Sequence, residues 1–361
     1  MVFRRVGIKK ISIKITSKIR NRNRRQVALN LVAWFALNAR DLPWRRTRDP
    51  YAIWISEIML QQTQVKTVIP YFERWMRQLP TLAGFAKARP QKVLKLWEGL
   101  GYYSRVRNAQ AAAQLIMRQH GGRFPQKFDD ILALPGIGRY TAGAISSIAF
   151  NQPEPILDGN VIRVLSRVFG VEGDPRDKKT NALLWELARD LVSVDTTRCS
   201  ELNQSLMELG ALVCAPRQPG CSVCPVQKFC FAFRENRVVE FPMLPARAPA
   251  TERRFVAFVA RRKNLFLVRQ RPAGVVNAHL WEFPNVEIGL NDERDGKDTS
   301  FRILEAQPIC RIRHSITRYR ILLEAFHATA DNNAAGVWKS IPQLKRLPFT
   351  SAHRKILMAL A

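Results

Sequence analysis

Cys214, Cys221, Cys224 and Cys230 fall within 17 residues at the spacing C-x6-C-x2-C-x5-C. Four soft donors so close together, with no histidine among them, suit a metal centre, the other reading being four buried thiols. Structural zinc usually draws its ligands from two well-separated C-x2-C pairs, and this stretch holds one such pair, so the spacing favours a [4Fe–4S] cluster over zinc. Cys199 and Cys310 stand apart and read as ordinary buried thiols. Six cysteines distributed in this way are not the disulfide framework of a small secreted chain.

Two carboxylates stand in contrasting surroundings. Glu57 interrupts the apolar segment IWISEIML, where desolvation would raise its pKa and keep the proton that a general acid needs. Its plainer reading is a salt-bridged or surface Glu on a half-buried helix. Asp158 lies in PILDGN, immediately before the amphipathic VIRVLSRVF, at or beside a helix N-terminus whose dipole and free N–H groups hold a carboxylate ionised. Its plainer reading is a helix cap. One acid weakened by burial and one kept ionised is the division of labour that glycosidic cleavage through an oxocarbenium-like state requires. Between the two, LPGIGRYTA follows FDDILAL, and Gly136 and Gly138 permit a tight hairpin between two helices. The N–H groups opening the second helix could then face a DNA phosphate, or the turn could be a connector alone.

The elements that must position these groups follow from composition and periodicity. Among 361 residues, 58 Lys and Arg against 29 Asp and Glu leave a formal charge of +29, which calls for a polyanionic partner, nucleic acid ahead of an anionic membrane surface. With 47% hydrophobic and 24% charged residues, wholesale disorder is excluded. No run of 18 apolar residues exists, so no span of a membrane is expected. The first 25 residues carry ten basic side chains and no acid. They read as a solvated basic arm, with a phosphate-binding arm or an Arg-rich presequence as alternatives. That N-terminus lacks an apolar signal region, and a reducing cytoplasm is the expected location. Residues 26–240 repeat apolar positions at three and four and predict eight to twelve helices. Residues 241–251, with Pro242, Pro245 and Pro249, form a stiff linker. Residues 252–361 change to a period of two: 255–259 and 265–268 predict a hairpin, Tyr319 to His327 a further strand, and the whole a separate α+β domain.

LPGIGRYTA, followed eighteen residues after Tyr140 by Asp158 and then by C-x6-C-x2-C-x5-C, resembles the helix-hairpin-helix DNA glycosylases of the endonuclease III superfamily. SEIMLQQTQV, GLGYYSR, LDGNVIRV and MELGALVC narrow the resemblance to the adenine DNA glycosylase branch, over the chain from about Leu42 to its end. The resemblance implies an all-α helix-hairpin-helix domain with an iron–sulfur loop at 214–230, followed by a smaller Nudix-like domain. It implies a monofunctional, bacterial-type, nucleoid-associated monomer that removes adenine mispaired with 8-oxoguanine or guanine from double-stranded DNA. Glu57 matches the acid that protonates adenine N7, and Asp158 the carboxylate that stabilises the sugar cation, with Asn160 and Tyr140 beside it. Gln62, Leu100 and Tyr102 match residues that wedge around 8-oxoguanine while adenine is flipped out. Trp44, Arg45 and Glu208 fall where the family lines the adenine pocket. Tyr140 stands where bifunctional relatives carry a Schiff-base lysine.

The C-terminal part resembles a Nudix-like domain through HLWEFP, His279 to Pro284, but has no acidic Nudix metal box, so pyrophosphate hydrolysis is not expected. Where many relatives carry Phe-Ser-His in the loop that reads 8-oxoguanine, this chain has Ile316-Thr317-Arg318, with Thr317 offering a hydroxyl for the hydrogen bond that Ser supplies in them. Two other readings stand beside the first: a glycosylase acting on mismatched thymine or uracil, and a non-catalytic basic DNA-binding protein with a structural metal.

Overall fold

The computed structural model describes residues 17–246, 248–289 and 300–360. Twelve α-helices precede the linker among these residues: α1 (Ser17–Asn38), α2 (Pro50–Leu60), α3 (Val65–Gln78), α4 (Leu82–Lys87), α5 (Pro90–Trp97), α6 (Ser104–Gln119), α7 (Phe128–Leu132), α8 (Arg139–Phe150), α9 (Gly159–Phe169), α10 (Lys178–Val192), α11 (Cys199–Leu212) and α12 (Phe231–Arg234). Eight strands and two helices follow: β1 (Thr251–Arg262), β2 (Leu265–Gln270), β3 (Trp281–Glu282), β4 (Asn285–Ile288), β5 (Phe301–Ile303), β6 (Cys310–Ile316), β7 (Tyr319–Ala330), β8 (Val337–Ser340), α13 (Ile341–Lys345) and α14 (Ser351–Ala359). Helix α1 takes in residues 17–25 of the segment read as a basic arm, and Arg24 pairs with Asp190 on α10. Residues 1–16 of that segment lie outside the described residues.

The chain forms two compact units. Of the described residues, the first holds those from 17 to Asp41, Gln126–Phe128 and Gly138–Pro245; the second holds Leu42–Pro125, Asp129–Ile137 and those from Ala246 on. In the first, α11 packs against α1, α8 and α9. Val161, Val164, Leu165 and Val168 bury one stripe of α9, as its three-and-four spacing demands. The helix stops at Gly170, whose φ of 64° suits a residue without a side chain.

In the second unit, α2 starts at Pro50 behind Asp49, whose side chain accepts from the Tyr51 N–H at 3.1 Å. PYAIWISEIML is apolar almost all round, and Tyr51 to Met59 are all buried, the outcome for a helix without a polar face. Edge-on contacts of Trp75 with Phe85 and Trp97, and of Trp54 with Phe85, build the core beside it.

The sheet centres on β1 and β7, which run parallel, with Val256 opposite Glu324 and Phe258 opposite Phe326. β4 flanks β1, while β5 and β6 pair with β7. Period two divides β1 between two cores: Val256 and Phe258 pack with Phe326 and Ile288, whereas Ala257 and Val259 pack with Phe283, Phe349 and Ile356 of α14. The expected hairpin exists but is short, with Arg261 opposite Phe266 and Arg262 opposite Leu265. β2 then departs to pair with β8 and β3.

Candidate active site

In the first unit the site grows from the N-terminus of α9. Asp158 is its cap: Oδ1 accepts from the Val161 N–H at 2.7 Å, and Oδ2 accepts from Asn160 Nδ2 at 3.1 Å. Burial nevertheless pushes the Asp158 carboxyl above the ordinary carboxylate range, opposed by the Val161 and Asn160 hydrogen bonds and by the charge of Arg163. Desolvation therefore works here against the helix end, which favours the ionised form. Asn160 is itself fixed, its Oδ1 accepting from Arg163 Nη2 at 2.8 Å. Gly210 of α11 lies so close that a Cβ there would meet Asn160 Cβ at 2.6 Å. Tyr140, in the first turn of α8, donates its hydroxyl to Met207 Sδ at 3.5 Å.

The cysteine loop hangs from the same helix. Arg163 donates from Nε to the Cys214 carbonyl at 2.7 Å and from Nη2 to the Gly210 carbonyl at 2.7 Å. Arg167, one turn on and almost wholly buried, donates to the Ala215, Pro216 and Phe241 carbonyls and to Cys214 Sγ at 3.3 Å. A continuous polar chain therefore joins Asp158, Asn160, Arg163 and the backbone of Cys214.

Cys214, Cys221, Cys224 and Cys230 line one pocket, with Val164, Arg167 and Leu209 among its walls. Burial pushes the Cys224 thiol up to about 11, with the other three sulfurs adding to the rise, and raises Cys221 and Cys230 as well. Among the described residues no group of three or more His, Cys, Asp or Glu side chains is placed to hold a metal ion. Four sulfurs lining one pocket, with an arginine beside one of them, are the donor set that a cysteine-ligated centre would use. Cys199 is buried, as expected, whereas Cys310 is only partly so.

Glu208 of α11 is buried and clasped by Arg40, whose N–H and Nε each reach Oε1 at 2.9 Å and whose Nη2 reaches Oε2 at 2.6 Å. Nothing in the sequence around Arg40 marks it. Only the rule that a buried carboxylate requires a cation could have prompted the search for it.

In the second unit Glu57 is 5% exposed, in the apolar run of α2. The residues matched to a DNA wedge occupy two turns. Gln62 follows α2 with φ 59°, and Tyr102 precedes α6 with φ 47° and is 45% exposed, while Leu100 is buried. Left-handed backbone is uncommon for such residues and collects at functional turns. Arg105 ties the two turns together, donating from Nη1 to the Ile58 and Gln61 carbonyls at 2.6 Å each and from Nη2 to the Leu100 and Gly101 carbonyls at 3.2 Å each. Burial pulls its pKa down to about 10. Trp44 is buried edge-on against Phe72, and Arg45 is part of the short turn Pro43–Arg46.

Of the two hairpin glycines only one is demanded by the backbone. Gly136 has φ +75° and a Cβ there would meet Asn108 Cβ at 2.6 Å, whereas Gly138 caps α8 in ordinary extended backbone with open space around it. Thr317 is at the tip of the two-residue turn between β6 and β7, with φ 52°. Its hydroxyl donates to the Ile316 carbonyl at 2.7 Å. The hydroxyl proton is therefore engaged within the turn, and the oxygen remains as an acceptor.

The structure thus joins Asp158, Asn160 and the cysteine loop in one unit, which also holds Tyr140 and Glu208. It joins Gln62, Leu100 and Tyr102 through Arg105 in the other, which also holds Glu57, Trp44 and Thr317. Arg40, Arg105, Arg163 and Arg167 escaped the reading of the sequence, because each is defined by its distant partners.

Fold and site define a class of protein. Residues 55–190 match the family described as HhH-GPD superfamily base excision DNA repair protein, and residues 256–359 match the NUDIX domain. A thermostable thymine-DNA glycosylase has a similar structure, with TM-score 0.55 and 31% identity over 60% of this chain and 99% of that one. Endonuclease III in a non-covalent DNA complex, at TM-score 0.51 and 21% identity, shares the fold over 60% of this chain and 97% of that one.

Sequence relatives go further. Adenine DNA glycosylase of Schizosaccharomyces pombe is 34% identical over 80% of this chain and 75% of its own length, and that of Buchnera aphidicola subsp. Schizaphis graminum is 36% identical over 73% and 75%. The rat enzyme of that name is 40% identical over 74% of this chain, which spans 62% of the rat protein's length. The chain belongs to the adenine DNA glycosylase family.

Proposed function

We propose that this protein is a monofunctional base-excision repair enzyme that hydrolyses the N-glycosidic bond of adenine paired with 8-oxoguanine or guanine in duplex DNA. The observation that carries the reading is the Asp158 carboxylate, fixed by a backbone N–H and by Asn160 at a helix end, in a chain of this family. Glu57, buried on α2, gives a proton to adenine N7, so that the C1′–N9 electron pair leaves with a neutral base. Asp158 in its ionised form stabilises the positive charge left on the sugar, and water adds to C1′. Asn160 holds Asp158 in its rotamer, with Tyr140 in the position that bifunctional relatives give to lysine. The left-handed turns at Gln62 and Tyr102 present the side chains that enter the base stack, and Thr317 offers its oxygen to the oxidised base. Cys214, Cys221, Cys224 and Cys230 would hold a [4Fe–4S] cluster, which supplies a rigid cross-link for the loop. The +29 charge supports a polyanionic partner. No helix among the described residues is long and apolar enough to cross a membrane.

The test is base release from duplexes carrying A:8-oxoG, A:G, T:G or U:G, scored as strand breaks with and without alkali. Release from the first two only, with breaks only after alkali, is expected, and Glu57→Gln should abolish release while leaving mismatch binding nearly intact. Excision of thymine, or borohydride trapping through the Tyr140 site, would overturn the proposal.

A further inference from the structure

Within the second unit a single buried carboxylate joins the helices to the sheet domain, immediately before the exposed turn at Tyr102. Glu98 follows α5 and is 5% exposed. Its Oε1 accepts from the Phe349 N–H at 2.8 Å, and its Oε2 accepts from Lys95 Nζ at 2.8 Å and stands 3.7 Å from Arg354 Nε. Two of these three partners, Phe349 and the ion-paired Arg354, belong to the C-terminal domain. Lys95 also donates to the Leu347 carbonyl at 2.9 Å. A buried charge is tolerated only where its oxygens are met, so the position of Glu98 is set by the segment 347–354.

That position is handed directly to the loop. The Glu98 carbonyl accepts from the Tyr71 hydroxyl at 2.9 Å, and the next residue, Gly99, has φ +109° and donates its N–H to the Tyr103 hydroxyl at 3.3 Å. A side chain at Gly99 would collide with that Tyr71 hydroxyl, 2.1 Å from where its Cβ would be. Beyond the loop, Arg107 of α6 donates to the Ala278 carbonyl at 3.1 Å. Residues 99–103 are therefore suspended between two contacts with the sheet domain. The first of these continues into β3: the Trp281 N–H donates to the Pro348 carbonyl at 2.8 Å, and the Thr350 N–H to the Trp281 carbonyl at 3.1 Å.

We propose that Glu98 is a positioning residue through which the C-terminal domain sets the geometry of the Gly99–Tyr103 loop, and so a determinant of the preference for 8-oxoguanine over guanine opposite adenine. The second half rests on the proposed function; the first does not.

The experiment uses the full-length protein with Glu98→Ala, Glu98→Gln, Tyr102→Ala and the Glu98→Ala, Tyr102→Ala double variant. Hydrogen exchange of the free proteins is followed over residues 99–105, together with single-turnover excision on A:8-oxoG and A:G duplexes. Glu98→Ala should speed exchange in the loop and shrink the A:8-oxoG to A:G rate ratio by about fivefold. Glu98→Gln still accepts from the Phe349 N–H and should keep most of the ratio, and the double variant should lose little more than Tyr102→Ala alone. An unchanged loop exchange, equal slowing on both duplexes, or additive losses in the double variant would overturn the proposal. If the wild type excises adenine from neither duplex, the proposed function fails, and loop exchange in the Ala and Gln variants still decides whether Glu98 positions the loop.

Discussion

Asp158 is a helix cap and a half-buried, largely desolvated carboxyl together, and the two roles pull its proton affinity in opposite directions. Burial prevails, so its pKa lies above the ordinary 3.8. A carboxyl raised on folding costs stability above its folded value, where it is ionised in both states, and costs nothing below the unfolded value, where it is neutral in both. Asp158→Asn keeps an oxygen to cap Val161 and removes the charge. It should therefore raise Tm at pH 7, the gain shrinking as pH falls towards 3.8, while slowing base release by about a thousandfold. A lower Tm at pH 7, measured by thermal unfolding, would show that the hydrogen bonds and Arg163 outweigh burial. Glu208 shows the opposite solution at the same scale, with Arg40 meeting both of its oxygens.

Elements are held by arginines that reach between their ends. Arg105 meets five carbonyls, three at the end of α2 and two in the loop before α6. Arg105→Ala leaves those carbonyls without their donor and should cost about 3 kcal/mol in denaturant unfolding. Arg105→Lys should recover less than half of this, because an ammonium cannot reproduce the guanidinium fork. Full recovery by Lys would reduce the clamp to a point charge. Arg163 and Arg167 play the corresponding part for the cysteine loop. Protein purified without air should carry about four iron per chain, and Cys224→Ser should lower iron content, soluble yield and DNA affinity together. Stoichiometric zinc in place of iron would refute the cluster. The left-handed turns at Gln62, Tyr102 and Thr317 belong to this scale as well. Each places a side chain at the tip of a connection whose two ends are fixed by regular elements.

For the whole molecule the dominant property is charge. With +29 distributed over 361 residues, DNA affinity should fall steeply with salt, as counterions released by each phosphate contact are recovered. Residues 1–16 contribute five basic side chains. Their deletion should weaken binding to matched and mismatched duplexes alike and reduce the log–log salt slope by up to about 4. An unchanged slope from filter binding at several salt concentrations would free that segment from any phosphate contact.

What could be read from the sequence is what depends on neighbours in the chain. The cap at Asp158 with the stripe Val161, Val164, Leu165 and Val168 behind it, the burial of Glu57 in an apolar helix, the cysteine spacing and the change of period after the linker all follow from local side-chain chemistry. The tertiary structure alone decided the partners of the buried charges. Arg40 and Glu208 are 168 residues apart, and Glu98 and the Phe349 N–H are 251 apart. It also decided the parallel pairing of β1 with β7 and the desolvation of Asp158. The physical reason is common to all of these. Propensity and periodicity fix which face of an element turns inward, whereas the identity of what it meets there, and the solvent excluded in the meeting, are set by packing between distant segments.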